Sequence, residues 1–215
     1  MPTAEWLALE NSSLGAPVLP GRYIIKPVCE EASVGLDAAA VVDIQGREEL
    51  KQQIHDRQRL IGKACFAERY IDGREFNLSL LGRPAGAELM PPAEMTFDYP
   101  DGLPKIMDYK AKWVDGTLEY AGTQRRFDLP PTDGDLVERL RHIAKQCWDL
   151  FHLHGYARVD FRVDSGGRPF VLEINANPCI TAWSGFSAAC EKGGLSYPEM
   201  VERIVEEALR RNAPA

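Results

Sequence analysis

Most common flags of function are missing from this chain. No apolar run approaches the roughly 20 residues a membrane-spanning helix needs. The opening, MPTAEWLALE, has no basic segment followed by an apolar one, so no secretory signal is expected. The five cysteines, Cys29, Cys65, Cys147, Cys179 and Cys190, are odd in number and form no CxxC pair. That spacing disfavours a disulfide framework or a zinc site and fits free thiols in a reducing cytoplasm, the expected location. The four histidines form no HExxH, and neither GxxxxGK[ST] nor GxGxxG occurs, so two familiar nucleotide signatures are absent. Positive charge is in deficit, with 25 Lys and Arg against 32 Asp and Glu for a net charge of −7. This balance argues against nucleic acid as a partner but leaves room for a local basic pocket that takes phosphates.

What is present is an ordinary globular composition, 45% hydrophobic and 27% charged over 215 residues. That is enough chain for one domain or two small lobes. Residues 1–21, rich in Pro, Gly and Ser, read as an irregular lead-in. RYIIKP (22–27) reads as a strand, followed by the polar loop VCEEASVG. Helical spacing through Leu50 and Ile54, with Leu60 as a further candidate, predicts a helix over 46–60. CFAERYI and EFNLSLLG read as strands joined by a turn at Asp72-Gly73, AELMPPAEM as one more extended piece, and 98–112 as a loop. Leu136, Leu140, Ile143, Cys147, Leu150 and Phe151 recur at three- and four-residue steps and predict a helix over 133–154. A last helix begins with Ser196 and Glu199 in capping-box spacing and should turn Val201, Ile204, Val205, Ala208 and Leu209 inward. Hairpins mixed with helices give an α+β fold class.

The pair YARVDFRVD and RPFVLEINA, joined by Ser165-Gly166-Gly167, carries a hairpin signal. Alternation puts Arg158, Asp160 and Arg162 on one face of the first strand. On the second strand, Val171, Glu173 and Asn175 should share a face, with Leu172 and Ile174 on the other. If the apolar sides face a core, Asp160, Glu173 and Asn175 meet on the open side. Three oxygen donors suit Mg²⁺, and Arg158 beside them offers a fork of donors for an anion. The same pattern also fits a solvated sheet face with Arg–Glu cross-strand pairs.

RVDF and FVLEINANP, with YIIKP upstream and AERYIDGREF between, resemble the ATP-grasp superfamily, and more closely the C-terminal part of D-alanine–D-alanine ligases. The resemblance runs from about Trp6 to Leu209. It implies two α+β lobes with a nucleotide cleft between them: residues 1–73 a small lobe lacking its N-terminal part, and 74–215 a large lobe with the metal site and acceptor pocket. It implies that Lys26 contacts ATP phosphates and that Glu68, Arg69, Tyr70 and Ile71 form the hinge that takes the adenine. Glu75 would hold the ribose hydroxyls, a task suited to a carboxylate. Ser33 would lie in the loop covering the phosphates, and Lys112 would reach the transferred phosphate. Asp160, Glu173 and Asn175 would ligate Mg²⁺ or Mn²⁺, Arg158 would stabilise the tetrahedral intermediate, and Ser184 would bind the second substrate's carboxylate. Read without the resemblance, a strand-end lysine or edge glutamate is most often simply solvated.

The implied reaction is ATP-dependent joining of a small carboxylate and an amine, of the amino acid or dipeptide class, through an acyl phosphate. Four departures from the family pattern are visible. The N-terminal domain has no counterpart here, Ala32 stands where a serine is usual, Trp113 where a tyrosine is usual, and Cys179 where the family has a glycine. An enzyme completed by a separate N-terminal domain chain, or by a second copy of itself, is one reading. A nucleotide-binding module or remnant acting through a partner is the alternative, and a carboxylate kinase using the same metal site is a third.

Overall fold

A computed structural model describes residues 1–9 and 18–211. Ten strands and six α-helices follow in chain order: β1 (Trp6–Ala8), β2 (Gly21–Pro27), β3 (Val41–Ile44), α1 (Arg47–Ile61), β4 (Cys65–Arg69), β5 (Gly73–Arg83), β6 (Gly86–Leu89), β7 (Ala93–Phe97), α2 (Tyr109–Trp113), α3 (Leu118–Gly122), β8 (Thr123–Arg126), α4 (Gly134–Leu150), β9 (Tyr156–Asp164), β10 (Pro169–Asn175), α5 (Gly185–Lys192) and α6 (Tyr197–Arg211). They form two compact units. The larger comprises Met1–Thr3, Gly73–Thr96 and Arg125–Ala215; the smaller comprises Ala4–Asp72 and Phe97–Gln124. The chain therefore leaves the larger unit at Thr96 and re-enters it at Arg125, and Lys112 belongs to the smaller unit.

The smaller unit is built on an antiparallel sheet in the order β1-β4-β2-β3. Part of the expected irregular lead-in is thus a strand, because Trp6–Ala8 pair with Phe66–Glu68; residues 10–17 lie outside the described residues. β2 is buried on both faces. Tyr23 and Ile25 pack with Leu50 and Ile54 of α1, while Ile24 packs with Tyr70, Ala40 and Ile106. α1 has Glu48 and Glu49 in its first turn, which favours the positive helix end, and it stops at Gly62 in the left-handed region at φ 69°.

The larger unit is a six-stranded sheet, β10-β9-β5-β7-β8, with β6 paired to β5. β4 and β5, joined at Asp72-Gly73, thus lie in different sheets. The connection needs glycine: a Cβ on Gly73 would sit 2.0 Å from the Val163 carbonyl oxygen. AELMPPAEM holds two strands, β6 and β7, both paired to β5. The loop expected over 98–112 contains most of α2.

β5 pairs with β9 over nine positions, from Gly73↔Asp164 to Leu81↔Tyr156. One face of this pair is apolar and packs on α4: Phe76, Leu78, Leu80, Val159, Phe161 and Val163 meet Leu136, Leu140, Ala144 and Cys147. α4 ends at Leu150, short of the predicted 154, and Leu150 and Phe151 are exposed, because two turns beyond Ile143 the helix has outrun the sheet. At the Leu81 end the opposite face is covered by α5 and α6 through Phe186, Ala189, Cys190 and Met200. α6 begins with the Glu199 half of the expected capping box: Glu199 Oε2 accepts from the Ser196 amide at 2.8 Å and from its hydroxyl at 2.5 Å. Its inward stripe is Met200, Val201 and Ile204; Val205, Ala208 and Leu209 are exposed, because the contact stripe is narrower than the run of apolar residues.

Candidate functional site

The polar face of the larger sheet follows from strand alternation. In EFNLSLL of β5, Phe76, Leu78 and Leu80 enter the core, so Glu75, Asn77 and Ser79 point the other way. Across the ladder stand Arg162, Asp160 and Arg158 of β9, opposite Glu75, Asn77 and Ser79 respectively. On the far side of β9, Glu173 pairs with Asp160 and Asn175 with Arg158. Asp160, Glu173, Asn175 and Arg158 are thus brought together, as the sequence pattern predicts.

One face assignment is corrected. The register shifts between Val171 and Glu173, so two residues of β10 oppose one of β9. This bulge lets Val171 pair with Phe161 and join the core, while Glu173 and Asn175 stay on the polar face. Without it, strict alternation would have turned Val171 out beside Glu173.

The charges on this face are paired in part. Arg158 donates from Nε and Nη2 to the two oxygens of Asp160, each at 2.7 Å. The Asp160 charge, working against desolvation, raises the Arg158 pKa and fixes it as a cation. Glu75 is buried and lies 3.3 Å from Arg162 Nε, and Arg162 donates to the Gly73 carbonyl at 2.8 Å. Glu173 is exposed opposite Asp160. The strand end is shaped by Asn175, whose Oδ1 accepts from the Asn177 amide at 2.9 Å, an Asx turn; Tyr156 donates to Asn177 Oδ1 at 2.5 Å. Just beyond, the exposed Cys179 thiol contacts the Thr181 hydroxyl at 3.3 Å, and hydrogen bonding from Thr181 lowers its pKa. Ser184 is the N-cap of α5: its Oγ accepts from the Ser187 amide at 3.3 Å. Among the described residues no group of three His, Cys, Asp or Glu is arranged to hold a metal; the hairpin offers two carboxylates and one amide.

Two side chains on or beside this face escaped the sequence reading. Asn77 stands opposite Asp160, and the alternation of EFNLSLL marks it. Arg125 lies against the first turn of α5: a Cβ on Gly185 would sit 3.0 Å from its Nη2. Nothing local in TQRRF signals that position, because it depends on contact with a residue 60 positions away.

In the smaller unit, Lys26 and Glu68 form an ion pair with both side chains largely buried. Of the residues expected to form a hinge, two are engaged by backbone: Arg69 N–H donates to the Glu5 carbonyl and Tyr70 N–H to that of Arg22. Ser33 donates to the Met107 carbonyl at 2.6 Å. Ala32 and Ser33 both lie in the left-handed region, at φ 55° and 64°, an uncommon backbone for residues with a Cβ. The Trp113 indole donates to the Ala32 carbonyl at 2.9 Å, so two positions that depart from the family pattern touch each other. Loop 28–35 is thereby tied to α2, the helix that carries Lys112. α2 is capped by buried Asp108, whose Oδ1 accepts from the Ala111 amide at 2.8 Å; burial pushes its pKa up.

Comparison with known proteins identifies the family. The D-ala D-ala ligase C-terminus family matches residues 2–206. A D-alanine--D-alanine ligase of Sphingopyxis alaskensis is 32% identical over 97% of this chain and 63% of its own length. Protein y4sG of Sinorhizobium fredii is 28% identical over 98% of this chain and 59% of its own. The chain thus spans about 60% of the length of these relatives. Among solved structures, a D-alanine--D-alanine ligase from Bacillus anthracis superposes with a TM-score of 0.68 at 24% identity, covering 98% of this chain and 63% of that one. A second structure of that enzyme, complexed with ATP, gives a TM-score of 0.65 at 20% identity and covers 98% of this chain and 62% of its own. The fold is therefore α+β of the ATP-grasp kind, and the chain belongs to the D-ala D-ala ligase C-terminus family.

Proposed function

We propose that this chain carries the ATP-dependent step of a carboxylate–amine ligase of the D-alanine–D-alanine ligase type, acting with the portion of sequence that its relatives have outside the match. The observation that supports it most is the convergence of Asp160, Glu173, Asn175 and Arg158 on adjacent strands. Two carboxylates and an amide oxygen fit Mg²⁺ or Mn²⁺, hard cations that complete their shell with water and phosphate oxygens. When bound, the cation would neutralise phosphate charge. Asp160 would have to share its oxygens with Arg158, which now holds both.

In this reading Lys26, Ser33 and Lys112 contact the phosphates, Glu68 to Ile71 receive the base and Glu75 the ribose. The first substrate's carboxylate oxygen attacks the γ-phosphorus, the bond to the β-phosphate oxygen breaks and ADP leaves. The amine then attacks the acyl carbon, phosphate departs and an amide remains. Arg158 steadies the negative oxygen that develops at that carbon. Positioning and charge neutralisation carry such a reaction, so fixed cations and ordered oxygens are what it requires. The reactants would be small carboxylates and amines of the amino acid or dipeptide class.

Calorimetric titration of Mg·ATP and of a non-hydrolysable analogue into the chain and into Glu173→Ala tests the reading. Saturable binding that needs Mg²⁺ and weakens at least tenfold in the variant is expected. No binding at millimolar nucleotide would remove it. The second reading, a nucleotide-binding module acting through a partner, is favoured by the closed Arg158–Asp160 pair. It predicts nucleotide binding without amine-dependent ADP release, even when the chain is supplied with the portion its relatives have outside the match.

A further inference from the structure

β8 places two arginines in succession, and they end differently. Arg126 donates to Glu94 at 2.9 and 2.6 Å on the side of the sheet that packs on α4. Arg125 has no ion pair and no side-chain hydrogen bond among the described residues. Its guanidinium instead lies on the backbone of Gly185, where a Cβ would come within 3.0 Å of Nη2 and 3.3 Å of both Cζ and Nε. Arg158 is near enough to act on it. Desolvation together with that like charge pulls the Arg125 pKa down. Arg158 already has a carboxylate in Asp160, so Arg125 is the uncompensated cation of the neighbourhood.

The surface beneath Arg125 suits an anion. Gly185 and Phe186 open α5, so their N–H groups have no intrahelical acceptor, and the helix dipole adds positive potential there. The Ser187 amide is already held by Ser184 Oγ. Glycine at 185 lets the planar guanidinium lie flat against this turn, leaving its fork of donors for a carboxylate. The charge of Arg158 acts unfavourably on Arg125, and a bound anion would relieve that repulsion.

We propose that Arg125 and the first turn of α5 form a subsite for a second acidic group on the amine substrate, so that the amine is an amino dicarboxylic acid in preference to a monocarboxylic one. This rests on the ligase reading for its place in a reaction. Ser184 would take the carboxylate common to all amino acids and Arg125 the additional one.

The test titrates aspartate, glutamate and alanine, each as D and L forms, into the chain by calorimetry, with and without Mg·ADP. At least one acidic amino acid should bind about tenfold or more tighter than alanine, as a charge-assisted pair allows. Arg125→Gln should abolish that preference while leaving alanine binding unchanged. Gly185→Ala, which keeps the charge but displaces the guanidinium, should weaken it too. Arg125→Lys should restore only part, because a lysine cannot make the bidentate contact. Arg125 is exposed, so these variants should fold, and the melting temperature checks that they do. A wild type that does not separate acidic amino acids from alanine, or an Arg125→Gln variant that keeps the preference, would overturn the proposal. The measurement without nucleotide stands apart from the Glu173→Ala titration, so the two readings can fail separately.

Discussion

The two faces of the larger sheet are made from the same strands and behave differently. On the α4 side Arg74, Arg126, Glu94 and Asp133 form one matched network. Arg74 donates to both Glu94 oxygens at 2.7 and 2.9 Å and to Asp133 at 2.9 and 2.6 Å, its guanidinium lies 4.8 Å from the Phe76 ring centroid, and Arg126 closes the network on Glu94. On the other face Arg158 holds Asp160 and Arg162 lies by Glu75, but Asp160 also shares a ladder rung with Glu173, and Arg125 feels the charge of Arg158 with no ion pair of its own among the described residues. A network with its donors and acceptors matched stabilises a fold; like charges gathered on one accessible face cost stability and suit a site that waits for ions. Adjacent residues of β8 express the contrast most compactly, since a single step along the strand separates a structural arginine from one free to bind.

The largest effect should come from Glu94→Ala. Its side chain is 5% exposed and removal would leave Arg126 without an acceptor and Arg74 with Asp133 alone, so unfolding stability should fall by about 3–5 kcal/mol. Urea unfolding monitored by circular dichroism reads this directly. The counterpart on the polar face, Glu173→Ala, should stay within about 0.5 kcal/mol of wild type. Equal losses in the two variants would erase the distinction between the faces. Acid sharpens it further. Burial alone would raise the Glu94 pKa, but hydrogen bonds from Arg74 and Arg126 outweigh it and lower the value; hydrogen bonding from Arg74 lowers that of Asp133. A carboxylate with a depressed folded pKa stabilises above its unfolded value and loses that contribution as pH falls through the folded one. Stability should therefore drop below the ordinary values of 4.5 and 3.8, and the drop should shrink in Glu94→Gln.

The next effect, about 2–4 kcal/mol, belongs to Leu140→Ala, which empties a fully buried position between α4 and the apolar face. Asp160→Asn should cost less, about 1–3 kcal/mol, because Arg158 loses a charged acceptor but keeps a polar neighbour. If Asp160→Asn raised stability while abolishing Mg²⁺-dependent nucleotide binding, the polar face would be shown to hold its carboxylates against the interests of the fold.

Much of this arrangement is legible in the sequence because its causes are local. Alternation in YARVDFRVD specifies which β9 residues face the core, the Leu136–Leu140–Cys147 spacing specifies the inward stripe of α4, and Ser196-Glu199 specifies the start of α6. The parts that stayed hidden depend on register and on partners distant in sequence. The bulge at 171–173 is a property of the pairing between β9 and β10, so counting by twos along FVLEIN misplaced Val171. The outward-facing Val205 and Leu209 could not be told from Met200 and Ile204 by spacing, because what selects among them is the width of the surface on which α6 packs. Glu75 is a clear strand glutamate in the sequence, but its pairing with Arg162 becomes visible only when β5 and β9 are laid side by side. Arg125 and Arg126 are indistinguishable as letters. Which of them meets Glu94 is decided by the face that β8 turns to the sheet.

The smallest predicted effect separates that last pair. Arg126→Gln removes one of the two arginines on Glu94, and its own side chain is 48% exposed, so the loss should be about 1 kcal/mol. Arg125→Gln removes no hydrogen bond seen among the described residues and relieves the repulsion from the Arg158 charge, so stability should be unchanged or rise by up to about 0.5 kcal/mol. Paired urea melts at low and high salt distinguish the two. Added salt screens repulsion, so it should narrow any gain in Arg125→Gln while also reducing the loss in Arg126→Gln. A loss of more than 1 kcal/mol in Arg125→Gln would mean that this arginine supports the fold through its packing on Gly185. The asymmetry between the two sides of β8 would then be one of geometry alone, with no charge held in reserve for a ligand.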